Sequence, residues 1–328
     1  MRIHHLNCIS TCPVGGYLMD GRTPGVLTRG QLCCHCLLLE TAHSGLVLVD
    51  TGLGLRDCAE PRTRLSAFFL ALLSPDLREE MTAARQIEQL GFRRSDVRHI
   101  VLTHLDFDHA GGLDDFPQAR VHMLRAVRDD AVAQASWPVR QASPHMMPEE
   151  RDYAQRQKPW LDRQRFRPQQ WGGSRQRWNV YRPDRGEGWF GFDCVNSLQG
   201  LPPEVLMVPL PGHTPGHGGV AVRGPEGRWL LQAGDAYFHH REMDLHRPWC
   251  TPGLRLYQTL MEKDRRKRLA NQRRLRDLRR RHGAAGGICC GPGPLGVARR
   301  PPGALGAGPG PPGPRPAGSR GSIQAERA

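Results

Sequence analysis

The chain has 328 residues, of which 38% are hydrophobic, 46 are Lys or Arg and 32 are Asp or Glu, giving a formal net charge of +14. That is enough chain and enough apolar matter for one large domain with a real core, and a mean hydropathy of −0.53 argues against a membrane protein. The longest apolar run, Leu65 to Leu73, is too short to cross a bilayer and reads as a buried or lid helix. The segment Met1 to Asn7 lacks the apolar stretch of a secretory signal, so a cytoplasmic location is expected.

The positive charge does not by itself indicate a nucleic-acid partner. Only Lys158, Lys263 and Lys267 are lysine, so nearly all of the excess is arginine, spread along the chain apart from one basic stretch near the end. Ten cysteines are irregularly spaced and several lie inside apolar runs, as reduced buried thiols do. His4, His5, Cys8 and Cys12 read as strand residues rather than as a small metal site.

Residues 1–55 read as β-hairpins. Leu32–Glu40 is a strand, Ser44-Gly45 a turn and Leu46–Val49 the returning strand, which runs into Asp50-Thr51-Gly52. Residues 56–98 are mainly helical in pattern, with an amphipathic stripe over Asp76 to Leu90 that Gly91 closes. A short strand at Ile100 to Leu102 delivers Thr103-His104-Leu105-Asp106-Phe107-Asp108-His109-Ala110-Gly111-Gly112. Four imidazoles and carboxylates within six residues at a strand end are ligands of the kind that Zn²⁺, Mn²⁺ and Fe take. A further strand follows at Ala119 to Leu124, where His122 is an ordinary strand histidine.

Residues 125–200 are irregular in pattern and rich in Arg, Gln, Trp and Pro, so they read as an insertion forming a lid or substrate wall, or as a surface excursion held by its own tryptophans. Regular pattern returns with the strand Glu204 to Leu210, which leads into Gly212-His213-Thr214-Pro215-Gly216-His217. Two more strands, Val220 to Val222 and Trp229 to Ala233, are joined by a Gly-Pro-Glu-Gly turn, and the second ends in Gly234-Asp235. Three strand ends (Leu102, Leu210 and Ala233) therefore each supply a His or an Asp, the layout of a metal site on a rigid frame. His239 and His240 read as a surface loop, and residues 256–282 as a basic helix with Leu260, Leu269, Leu275 and Leu278 toward a core. From about residue 293 the composition turns to Gly, Pro, Ala and Arg, which predicts a disordered tail over 293–328, either frame-shifted or degenerate.

Together, Val49-Asp50-Thr51-Gly52, Thr103 to Gly112, Gly212 to His217 and Gly234-Asp235 occur in the order seen in the metallo-β-lactamase-fold hydrolases, which the chain resembles over about residues 30–290. The lactonase-like branch, with its N-acyl-homoserine-lactone lactonases, is similar in length and layout. The resemblance implies an α/β fold, a four-layer αβ/βα sandwich, with the domain spanning 1–292. It implies one or two metal ions, Zn with Mn or Fe as alternatives, held by His104, Asp106 and His213 in the first site and by Asp108 and His109 in the second, with Asp235 bridging. Asp50 and His217 would support these ligands. Metal-bound hydroxide would attack an ester or lactone carbonyl, Asp108 could take the water proton if the second site is empty, and Tyr237 could donate to the oxyanion or leaving group.

Two departures stand out. The commoner motif of the family has His where this chain has Asp106, which makes the first site more anionic. A last His expected after the basic helix is missing: the strand-like Ile288-Cys289-Cys290 is followed by Gly291-Pro292, and His282 lies before it. A small-molecule substrate is expected and nucleic acid is not; the oligomeric state is not legible. The alternatives are a metallo-nuclease or phosphodiesterase on the same fold, and a folded relic impaired by the missing His.

Overall fold

The computed structural model describes residues 1–125, 159–283 and 286–289. Two six-stranded sheets form the frame. The first runs in chain order through β1 (Arg2–Thr11), β2 (Leu32–Glu40), β3 (Leu46–Val49), β4 (Val97–Val101), β5 (Arg120–Leu124) and β6 (Trp178–Tyr181). It is antiparallel over its first three strands and parallel from β3 to β6. The second runs β12-β11-β10-β9-β8-β7, from β7 (Glu187–Trp189), β8 (Phe192–Ser197), β9 (Val205–Pro209) and β10 (Gly218–Arg223) to β11 (Trp229–Gln232) and β12 (Gly286–Cys289). It is antiparallel except for β12, which lies parallel to β11.

Side-chain alternation sets the layers. Along β9 and β10, Val205, Met207, Val220 and Val222 join the large core shared with Leu37, Val49 and Val101 of the first sheet. The intervening Val208 and Ala221 face the other way, onto Leu275 and Leu278 of the helix Arg265–His282. The helix Ala83–Gln89 lays Ala83, Ala84 and Ile87 against the first core. The sheets thus stack against each other with helices outside, the sandwich expected from the sequence. One polar link crosses the stack: Gln232 Nε2 donates to the His35 carbonyl at 2.7 Å, and its Oε1 lies 3.2 Å from His35 Nδ1.

The strands read from the sequence fall where its pattern places them, but other elements differ. The stripe over Asp76 to Leu90 is broken: a 3₁₀ turn at Glu79–Met81 gives way to the helix at Thr82, whose hydroxyl accepts from Arg85 N at 3.3 Å. The basic helix is likewise two helices, Pro252–Met261 and Arg265–His282, restarted where Asp264 accepts from Lys267 N. That restart changes the helical phase, so Leu260 is exposed instead of facing a core. His239 is buried, not on a surface loop, and starts a 3₁₀ turn that Glu242 closes by accepting from the backbone N–H of His239 at 3.0 Å.

The stretch 125–200 needs the largest correction. Its described part is not irregular: it supplies β6 to the edge of the first sheet, β7 and β8 to the edge of the second, and the helices Pro159–Arg165 and Pro168–Trp171. Short elements with many polar residues carry no clear period, so the pattern was hidden. Residues 126–158 of that stretch, and the tail from 290 onward, lie outside the described residues. No helix among the described residues is long and apolar enough to cross a membrane.

Candidate metal centre

The ligand-type residues gather at one edge of the sandwich. β4 ends at Val101 and the chain turns through Thr103 into the short helix Phe107–Ala110, which carries Asp108 and His109. β9 ends at Pro209 and the following loop presents His213; β11 ends at Gln232 and the next turn presents Asp235. That last turn needs Gly234, which sits at φ +50° with His217 and Thr103 against its Cα, where a side chain would collide.

One ligand atom each from His104, Asp106, His213 and Asp235 lies within 4.8 Å of every other, and all four side chains are buried. His213 Nε2 is 3.0 Å from Asp106 Oδ2 and 3.1 Å from Asp235 Oδ2. His104 Nε2 is 3.4 Å from Asp106 Oδ2 and 3.5 Å from Asp235 Oδ2. His109 Nε2 approaches Asp235 Oδ1 at 3.4 Å, and Asp108 lines the same cavity.

Proton bookkeeping fixes the tautomers. The Thr103 hydroxyl donates its single proton to Asp50 Oδ2 at 2.8 Å, because a carboxylate can only accept. It must therefore accept from His104 Nδ1–H, 2.9 Å away, which leaves the His104 Nε2 lone pair facing the cluster. Asp50 Oδ2 also accepts from His109 Nδ1–H at 2.9 Å, again turning Nε2 inward. Asp50 itself adopts a left-handed backbone (φ 55°), unusual for a residue with a side chain, and is held there by Thr103 N and Thr103 Oγ1. His217 does different work: its Nδ1–H donates to the Leu210 carbonyl at 2.9 Å, and its Nε2 accepts from the Asp235 backbone N–H at 2.8 Å. It shapes the turn that carries Asp235.

Whether these residues fit a metal can be tested on their own hydrogen bonding. His104 Nε2 and Asp235 Oδ1 are buried at the cluster with no hydrogen-bond partner. A buried lone pair without a donor costs about 1–3 kcal/mol, and here several point at one place; a divalent ion satisfies them together. The charges agree. Burial would raise Asp106 and Asp235, yet Arg165 beside the first, and His109 and His213 beside the second, hold both well below the usual carboxylate range. Burial pulls His213 down to about 4, so it is neutral and able to ligate near pH 7. Asp108 is pushed up to about 6 by burial, with Asp235 and Asp106 adding repulsion.

A small cavity opens onto the cluster. Its polar floor includes Asp106, Asp108, His213 and Asp235; its apolar wall is Leu32, Leu73, Phe238 and Met261. Leu73 closes the helix Ala67–Leu73, the apolar run seen in the sequence. Tyr237 is not among the cavity's lining residues: it is buried in the core between the second sheet and the helix Arg265–His282, while its neighbour Phe238 faces the cavity. The hydroxyl-bearing ring at the cavity is Tyr257, from the helix Pro252–Met261. Burial, with Asp108, Asp106 and Asp235 close by, pushes it well above the usual phenol range. Sequence reasoning missed Tyr257 because, at helical spacing from Leu254 and Met261, it looks like one more core position.

It also missed Arg165. This fully buried side chain enters the centre from the helix Pro159–Arg165 and grips Asp106 with two hydrogen bonds, Nε to Oδ1 at 2.9 Å and Nη2 to Oδ2 at 2.5 Å. Nothing in the sequence separates it from the other arginines around it. His282 packs on Phe190, ring centroids 4.7 Å apart, and belongs to no ligand cluster among the described residues.

Two stacked sheets with His and Asp side chains converging at one edge make a sandwich fold that carries a candidate metal site on its rim. The sequence signature of the metallo-beta-lactamase superfamily matches residues 29–279, and the chain belongs to that superfamily. A probable metallo-hydrolase of Mycobacterium tuberculosis is 38% identical over 284 residues, 86% of this chain and 77% of that protein. An N-acyl homoserine lactonase of Bacillus cereus is 30% identical over 118 residues, 35% of this chain and 47% of the lactonase. Among solved structures, a quorum-quenching N-acyl homoserine lactone hydrolase aligns with a TM-score of 0.57 at 18% identity, over 91% of this chain and 95% of that one. A probable metal-dependent hydrolase from Staphylococcus aureus aligns at 0.58 and 16% identity, over 89% of each chain. At such identities the structural likeness speaks to the fold.

Proposed function

We propose that this chain is a metal-dependent hydrolase of a small ester or lactone, with N-acyl-homoserine lactones as the first substrates to try. The observation that carries the reading is the convergence of ligand atoms from His104, Asp106, His213 and Asp235 on one point beside a small cavity. His104, Asp106 and His213 would hold the first ion, Zn²⁺ or alternatively Mn²⁺ or Fe, and Asp235 would lie between it and a second position formed by Asp108 and His109. A bound ion would supply an activated water and an electrophile for the carbonyl oxygen.

The chain's own groups do the rest. The wall of Leu32, Leu73, Phe238 and Met261 suits an aliphatic acyl group and excludes water from it. Asp108, poised at about 6, is largely ionised at neutral pH and takes the proton of the attacking water. Tyr257, kept protonated by burial and by its carboxylate neighbours, donates a proton to the departing alkoxide. The products are a carboxylic acid and an alcohol, joined in one molecule when the substrate is a lactone. The described residues offer the second position no histidine beyond His109, since His282 is held against Phe190. One ion, in the four-residue site, is therefore the working unit.

The test is a screen of the zinc-loaded protein against N-hexanoyl-homoserine lactone, aryl esters and bis-aryl phosphodiesters, each with and without chelator. Carbonyl substrates cleaved only with metal support the reading. Cleavage confined to phosphodiesters replaces it with a nuclease-type activity, and activity indifferent to chelation ends it.

A further inference from the structure

Arg165 occupies a peculiar position. Its Nη1 donates to the Met261 carbonyl at 2.7 Å, its Nε and Nη2 cover both oxygens of Asp106, and the same Nη2 lies 2.9 Å from His213 Nε2. The placement is built, not incidental. Phe166, the next residue, forms a backbone bridge with Asp106, which fixes the register of the two segments. Asp162, on the same helix, pairs with Lys263. Lys263 in turn donates its backbone N–H to the carbonyls of Gly212 and His213, in the loop that presents His213. One guanidinium is therefore tied to the segments carrying two of the four converging residues.

Lone-pair counting then separates two states. A carboxylate oxygen has two lone pairs, so Asp106 Oδ2 can accept from Arg165 and still ligate an ion. An imidazole nitrogen has one. His213 Nε2, which also lies 3.0 Å from Asp106 Oδ2 and 3.1 Å from Asp235 Oδ2, either accepts from Arg165 Nη2 or carries a proton for a carboxylate; in both cases its lone pair reaches a metal only when that arrangement is given up. A guanidinium does not lose its charge in a protein, so the site never holds a neutral stand-in. Resting on the metal-site reading above, we infer that Arg165 is an internal counter-cation that occupies the Asp106 and His213 side of the four-residue site in the metal-free protein, and that a divalent ion binds only by displacing Nη2 from His213. The trio Asp106, Asp108 and Asp235 then never faces the interior without a cation.

The inference sets the direction of a measurable effect. Removing the guanidinium removes a competitor, so zinc should bind more tightly while the metal-free protein becomes less stable. The experiment uses the full chain as wild type, Arg165→Met (similar length, no charge) and Arg165→Gln (neutral, still able to donate to Asp106). Each is stripped of metal and titrated with zinc against a chromophoric chelator, and thermal midpoints are taken with and without zinc. The expected result is zinc affinity about tenfold or more tighter in both variants, with metal-free midpoints below wild type and a larger upward shift on adding zinc. Variants that are unfolded without zinc and fold on its addition support the inference only if their zinc affinity still exceeds that of wild type. Zinc binding that is equal or weaker in the variants, with wild type binding zinc, overturns this inference and leaves the metal site standing. Variants that stay unfolded with zinc also overturn it, because Arg165 is then needed in both states. No zinc bound by any of the three removes both readings.

Discussion

Two of the places where histidines meet, one within the first sheet and one at its edge, behave differently. On β4 and β5, His99 Nδ1 and His122 Nε2 lie 2.9 Å apart, and His122 Nδ1 is 2.8 Å from the Tyr181 hydroxyl, which also accepts from Gln199 N. No carboxylate takes part, and burial, then His99 and Arg120, pull His122 down to about 3. At the sheet edge, His104, His109 and His213 instead face Asp106 and Asp235, with the His104 Nε2 lone pair left over. Buried histidine alone is therefore no sign of a metal. The sign is a surplus of acceptors aimed at one point, with Nδ1 of His104 held by Thr103 and Nδ1 of His109 held by Asp50.

The sharpest way to break that contrast is to remove a ligand from one group and a ring from the other. Asp235→Asn and His104→Ala should each abolish zinc binding and lower kcat/KM by about 10²-fold or more, read by metal analysis and lactone hydrolysis. His122→Phe should leave zinc content unchanged. If His122→Phe loses zinc as completely as His104→Ala, the distinction fails.

A smaller effect is expected at the cavity wall. Tyr257→Phe should lower kcat about 10²-fold, with zinc affinity and KM little changed, whereas Tyr237→Phe should alter turnover by less than about twofold. Equal losses from the two would return the proton-donor role to the position suggested by the sequence.

The His99–His122 pair makes its own prediction about acid. His122 titrates at about 3 in the fold and at about 6.5 in an unfolded chain. The unfolded state therefore takes up the proton first, and stability falls as pH drops from about 6.5 toward 3. At pH 5 the loss from this group is on the order of 2 kcal/mol. Denaturant midpoints at pH 7 and 5 should show it in wild type, and His122→Phe should flatten the difference.

The smallest effect concerns Asp115, which burial, then Asp57 and Asp114, push up to about 6 against the help of Leu55 N. For a carboxyl raised in the fold the sign is opposite to the depressed kind: its ionisation penalises folding, so stability is lost as pH rises from about 4 to 6. Asp115→Asn keeps the acceptor for Leu55 N and should stabilise by about 1–2 kcal/mol above pH 6 and by nothing measurable near pH 4. An equal gain at both pH values would show that charge is not the cause.

Much of the frame was legible because its signals are local. Leu32–Glu40 and Leu46–Val49 are buried strands written as apolar runs, and each strand end announces its His or Asp with flanking glycines. Arg165 and Tyr257 were not legible, since their meaning lies in what they meet. Arg165 reaches Asp106 across 59 positions of sequence, and Tyr257 reaches the cavity from a helix whose restart at Asp264 shifts the phase of the stripe. The described part of 125–200 hides its pattern for a related reason: strands of three to six residues at or next to a sheet edge bury too little to stamp a period on their sequence.

The central claim is that four buried side chains form a metal centre that drives hydrolysis. It is tested most directly by stripping the protein with chelator and adding zinc stepwise while following N-hexanoyl-homoserine lactone opening and bound metal together. The account predicts no turnover in the stripped protein and a rise that levels off at about one ion per chain, absent in Asp235→Asn. Turnover in the stripped protein, or zinc bound equally well by Asp235→Asn, would contradict it.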